Sequence, residues 1–152
     1  EHRVLMGMPR EPTIFREVNK VCQCVDVLLP PGGCSWLHAI VKIKKENSDD
    51  GKKAISAAFK GHSSLKHVVV VDDDINIYDP NEVEWAMVTR FQGDRDLDIR
   101  KGEKGSSLDP SSNLKTRETT KVGFDATIPH DKPRDAFKKA KAKDIDPDSF
   151  LS

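Results

Sequence analysis

The chain has 152 residues, of which 36% are hydrophobic, enough for one domain with a buried core, and it shows no internal repeat. Its 25 basic and 25 acidic side chains cancel, so the overall charge gives no pull toward nucleic acid or an anionic membrane. No apolar run reaches the roughly 18 residues of a membrane-spanning helix, no signal peptide is visible, and three cysteines are too few and odd in number for a disulfide framework; a cytoplasmic setting with buried thiols is expected.

Pro9 and Pro12 punctuate the start. Thr13 then stands as the expected N-cap of a helix whose apolar stripe is Ile14, Phe15, Val18 and Val21. Val25, Val27 and Leu29 alternate with Asp26 and Leu28 in a strand broken by Pro30-Pro31-Gly32-Gly33. The next strand, 37–43, sets Leu37, Ala39, Val41 and Ile43 on one face and His38, Ile40 and Lys42 on the other. The short connection predicts an antiparallel pair. A polar run, 44–53, reads as a surface loop, and Ala54, Ile55 and Ala58 mark a helix beyond it.

Val68 to Val71 fit a strand covered on both faces. Asp72, Asp73 and Asp74 end it, at the carboxyl end of a strand where open α/β sheets place their binding crevice. Asp79 is the expected N-cap of the following helix, with Pro80 in its first turn and Glu82 as a capping-box carboxylate. Val83, Ala86, Met87 and Arg90 share one face of it. A short strand at 97–100, a glycine, serine and proline segment at 102–113, a last strand carrying Val122, Phe124 and Ala126, and a basic helix over 132–143 complete the pattern. It predicts one α/β domain over residues 1–152, a mixed sheet of about five strands with helices packed on its faces.

The residues alone offer little catalytic chemistry. Adjacent aspartates in extended chain point to opposite sides, and no D-x-D-x-D-G loop folds Asp72 to Asp74 round an ion, so turn formation is the favoured reading. Cys22 and Cys24, or Cys34 with His38, lack the four closed ligands of a zinc site. Ser107 has neither a nucleophile elbow nor a nearby histidine base. The basic run reads as a solvated helix face, or as a surface for an anionic partner. The 102–113 segment approaches the length at which a loop is usually functional.

The run Lys66 to Arg90, KHVVVVDDDINIYDPNEVEWAMVTR, resembles the UbiD family of decarboxylases, as do EHRVLMGMPREPTIF, LLPPGGCSWLHAIVKI, GSSLDPSS and KVGFDATIP in that order. The resemblance covers nearly the whole chain and is to the C-terminal domain of enzymes about three times longer, so a fragment is expected. It implies reversible non-oxidative decarboxylation of an aromatic or α,β-unsaturated acid, with prenylated FMN as the electron sink. A divalent metal, manganese or magnesium, and potassium accompany that flavin. The family's glutamate, arginine and glutamate constellation matches no segment here, so no catalytic residue is expected in this chain.

What the resemblance carries over is narrower. The backbone carbonyl of Arg90 matches a ligand of the alkali metal near the flavin phosphate, and Lys60 matches a cofactor-contacting lysine. Without the resemblance, Arg90 would be a surface residue offsetting the helix dipole and Lys60 a solvated lysine. Ser106 and Leu108 match a loop facing the substrate pocket, although GSSLDP also reads as a turn. Implied partners are the N-terminal and central flavin-binding parts of the same polypeptide, a small carboxylic acid, and further copies in a homo-oligomer. The alternative is a purely structural or interaction domain that never meets the cofactor.

Overall fold

The computed structural model describes residues 10–138. In chain order the elements are α1 (Arg10–Asn19), β1 (Gln23–Leu28), a 3-10 turn (Pro31–Gly33), β2 (His38–Lys44), α2 (Asp50–Gly61), β3 (His67–Asp72), α3 (Pro80–Arg90), β4 (Leu97–Lys104), β5 (Glu118–Ala126) and a 3-10 turn (Arg134–Phe137). The basic helix expected over 132–143 lies partly outside the described residues, and the part inside them forms only the second 3-10 turn.

Five strands make one sheet in the order β1-β2-β3-β5-β4. The central three, β2, β3 and β5, run parallel, and β1 and β4 close the edges antiparallel. This is the expected mixed α/β sheet. The valine strand is its middle, which explains the lack of alternation: Val68 and Val70 face one helix layer, Val69 and Val71 the other, and all four are buried. On the first face α1 and α2 bring Ile14, Val18, Ala54, Ile55 and Ala58 onto Ala39, Val41, Ile43, Val68 and Val70. On the second, α3 packs Val83 and Ala86 with Ile75 and Ile77 onto Ile40, Val69, Val71 and Ala126.

Several local expectations are corrected. α1 begins at Arg10, ahead of Thr13, because Pro12 is tolerated in a first turn. Of its expected stripe only Ile14 and Val18 are buried, while Phe15 and Val21 are 37% and 42% exposed. β1 does not alternate as its sequence suggests: a bulge between Cys24 and Asp26 turns Val25 outward and puts Cys24 in the core. The polar run after β2 already contains the first turn of α2, tied down by Asp50 Oδ2, which accepts the N–H groups of Glu46 and Asn47, each at 2.9 Å. Asp79 caps α3 through Asn81 N–H at 2.9 Å as expected, but Glu82 accepts from Asn76 N–H and closes no capping box. β4 runs on to Lys104, well past the predicted short strand.

His62, at the end of α2, is 2% exposed; its Nε2–H donates to the Trp36 carbonyl at 3.1 Å, and the Trp36 ring stands edge-on at 4.3 Å. Burial, with Arg10 adding repulsion, pushes this imidazole down to about 4. A base depressed in the folded state disfavours the proton there, so its contribution is complete above the ordinary histidine value of 6.5 and is lost as pH falls toward 4. His62→Gln is expected to flatten the fall in unfolding free energy between pH 6.5 and 4 by about 2–3 kcal/mol, read from urea titrations at several pH values. An unchanged slope would show that His62 is solvated.

Candidate functional site: an arginine-locked acidic turn and the loop beyond β4

The aspartates at the end of β3 form a network with two arginines. Arg90, at the last position of α3, is 1% exposed. Its Nη1 donates to Asp72 Oδ2 at 3.1 Å and Asp74 Oδ1 at 2.9 Å, and its Nη2 to Asp74 Oδ2 at 2.8 Å and the Phe137 carbonyl at 3.0 Å. The guanidinium also lies 5.0 Å from the Trp85 ring centroid. Arg134 pairs with Asp73 at 2.7 Å. Asp72 Oδ2 further accepts the Ile128 N–H at 2.7 Å, tying the end of β3 to the chain leaving β5. Hydrogen bonding to Arg90 holds the Asp74 carboxyl below its usual range, while burial pushes Asp72 up against the opposing pull of Ile128 N–H and Arg90.

This arrangement decides what the turn can do. All three carboxylates are engaged by arginine, and among the described residues no group of three His, Cys, Asp or Glu side chains could hold a metal ion. The Arg90 guanidinium is a buried structural group, in contrast to the surface role its position alone suggests. Its carbonyl is different: it is one of the last four of α3, which have no partner within the helix and sit at the negative end of the helix dipole. A hard monovalent cation fits such an oxygen.

Lys60 is placed elsewhere. It lies on α2, on the opposite face of the sheet from α3, with its side chain 78% exposed and Nζ 3.9 Å from Glu17 Oε2. The fold therefore does not bring Lys60 and Arg90 together.

Ser106 and Leu108 are brought together, in the connection between β4 and β5. Asp109 organises this loop: its Oδ1 accepts Ser111 N–H at 3.0 Å and Ser111 Oγ at 2.7 Å, and its Oδ2 pairs with Lys66 Nζ at 3.0 Å. Asn113 Oδ1 accepts from Lys115 N–H and Thr116 N–H, and Gly105 N–H donates to the Arg117 carbonyl at 2.7 Å. The segment is thus a built turn system. Ser106 is buried, Leu108 is 48% exposed, and both line a cavity of about 390 Å³ with Trp36, Ser63, Lys104 and Arg117.

Two features escaped sequence reasoning. The pairing of Arg90 with Asp72 and Asp74 was signalled only by an arginine on the apolar face of α3, opposite an acidic strand end. The cations beside Ser106 come from the two arms of a hairpin whose length the sequence understates.

Residues 3–126 match the family model of the 3-octaprenyl-4-hydroxybenzoate carboxy-lyase C-terminal domain. The chain is 57% identical over 145 residues to the anhydromevalonate phosphate decarboxylase of Methanocaldococcus jannaschii, covering 95% of this chain and 34% of that protein. It is 36% identical to the gallate decarboxylase of Lactiplantibacillus plantarum, covering 92% of this chain and 31% of that one. Among solved structures it resembles the UbiD-class enzyme HmfF from Pelotomaculum thermopropionicum in complex with FMN, with TM-score 0.87, 41% identity, and coverage of 99% of this chain and 34% of that one. An evolved dimeric form of the same enzyme, in complex with prFMN, gives TM-score 0.73 and 37% identity over 99% of this chain and 31% of its own. The chain thus spans about a third of the length of these relatives. Matched over most of its length by the family model and sharing the fold of these enzymes, the chain belongs to the UbiD family of carboxy-lyases, as a C-terminal domain.

Proposed function

We propose that this domain completes a prenylated-FMN-dependent decarboxylase that removes carbon dioxide from a small α,β-unsaturated carboxylic acid carrying a phosphate group. The observation that carries the reading is the 57% identity to a phosphorylated-acid decarboxylase over 95% of the chain. It is supported by the joint placement of Ser106 and Leu108 on one small cavity. The flavin would supply the electron sink for the carbanion left by decarboxylation. Residues outside this domain would hold the flavin ring and its divalent metal, manganese or magnesium, and perform the proton transfers. This domain would lend the pocket wall at Ser106 and Leu108, the Arg90 carbonyl toward a potassium ion near the flavin phosphate, and contacts to further copies in a homo-oligomer.

Lys60 is the second proposed contact toward the flavin phosphate. Because it and Arg90 lie on opposite faces of the sheet, the two need separate tests. Lys60→Ala in the complete enzyme is expected to weaken flavin retention, and unchanged retention would leave Lys60 only its Glu17 pair. A carbonyl survives side-chain substitution, so the Arg90 contact is read from flavin retention with and without potassium.

The activity is tested on the complete polypeptide loaded anaerobically with prenylated FMN. Carbon dioxide release from anhydromevalonate phosphate, exceeding that from gallate and absent without flavin, is expected. Turnover of gallate alone would shift the substrate class to aromatic acids, and release from neither would remove the reading.

A further inference from the structure

The cavity at the mouth of the β4–β5 hairpin is lined by two cations, Lys104 and Arg117. Lys104 ends β4, and Arg117 stands just before β5. The Gly105 N–H bond to the Arg117 carbonyl holds the two ends of the hairpin together, and both residues line the one cavity. Of the neighbouring cations, Lys66 pairs with Asp109, Arg100 with Asp98, and Lys121 with the Ser63 carbonyl, whereas Lys101 and Lys115 do not line the cavity. Among the described residues no hydrogen bond or ion pair engages the side chain of Lys104 or Arg117, although Glu118 stands opposite Lys104 in the strand register. Arg117 also holds φ at 61°, left-handed backbone that costs a residue other than glycine.

The rest of the lining suits an anion with an apolar stem. Ser106 Oγ accepts the Leu108 N–H at 3.1 Å, which leaves its own proton free to donate. Ser63, Ser64 and Ser107 also line the cavity, as do the apolar Leu108 and Trp36. An oxyanion held between two cations gains two charge-assisted hydrogen bonds. The volume, about 390 Å³, suits a small ligand.

We infer that Lys104 and Arg117, with the Ser106 hydroxyl, form an anion subsite that takes the phosphate of a small phosphorylated acid. The inference deepens the decarboxylase reading above and rests on it for the ligand's role, though binding itself can be measured independently. In the complete protein the phosphate end would anchor here, with the carbon chain running past Leu108.

An NMR titration of the chain with isopentyl phosphate, read at backbone amides, tests it. Saturable shifts at Gly105 to Leu108 and at Arg117 are expected, and they are expected to vanish in Lys104→Gln/Arg117→Asn, where asparagine tolerates the left-handed backbone. No saturable shift, or shifts kept in the double variant, overturns the subsite. Equal shifts with isopentanol or acetate overturn the phosphate assignment. Shifts with FMN but not with isopentyl phosphate give the cations to the cofactor instead. In the complete enzyme the double variant is expected to raise KM for anhydromevalonate phosphate about 10- to 100-fold with kcat little changed; an unchanged KM overturns the role in substrate binding. Where the wild-type enzyme turns over neither acid, the decarboxylase reading fails while the binding shifts still decide the anion site.

Discussion

Replacing Arg90 with methionine is expected to destabilise the domain by about 3–5 kcal/mol. The size follows from what is left behind. Asp72 is 1% exposed, and removing the guanidinium leaves its buried carboxylate with the Ile128 N–H as hydrogen-bond donor and the more distant charge of Arg134. Asp74 and the Phe137 carbonyl lose donors in the same step. Urea unfolding should show the midpoint falling with little change in slope, since the same surface is exposed. Adding Asp72→Asn to Arg90→Met removes the stranded charge, so the double variant is expected to lose less than the two single losses together. A single-variant loss under about 1 kcal/mol would mean that the pair behaves as a surface salt bridge, contrary to its burial.

The second large effect concerns size rather than charge. Ile55 on α2 packs over Gly123 of β5, where a built Cβ would lie 2.3 Å from Ile55 Cγ2. Ile55→Ala is expected to cost about 2–5 kcal/mol through lost burial and the cavity left behind. Gly123→Ala is expected to cost about 1–3 kcal/mol by overpacking. Combined, the new methyl enters the space the isoleucine leaves, so the double variant should fall short of the sum by more than about 0.5 kcal/mol. Simple additivity would show that α2 shifts away from β5 to relieve the contact.

How much of this was legible in the sequence divides along physical lines. The valine strand, the Asp79 cap and the alternation through β2 were readable, because burial on two faces, a helix N-terminus and a period of two each leave a local imprint. The bulge at Cys24 to Asp26 was not, because it is fixed by register against β2, a pairing between distant residues. The same holds for the site. Ser106 and Leu108 could be singled out from their motif, yet the cavity they share needed Trp36 and Ser63 from a distant part of the chain. The arginine lock at Asp72 and Asp74 likewise joins side chains 16 to 18 positions apart. Lys60 is matched by its position in the sequence, which does not say on which side of a sheet its helix lies.

The two edges of the sheet bear on how such a domain behaves in concentrated solution. An exposed strand edge is a template for pairing with a second chain. Here β1 carries its bulge, and β4 slips register between Arg100 and Glu103, where Gly102 adopts a φ of 72° that a side chain would resist. The outer half of β4 is further occupied by Lys101, Glu103 and Lys104, all exposed. Among the described residues neither edge offers a long, flat, uncharged ladder, which disfavours strand-to-strand growth into fibres at both edges.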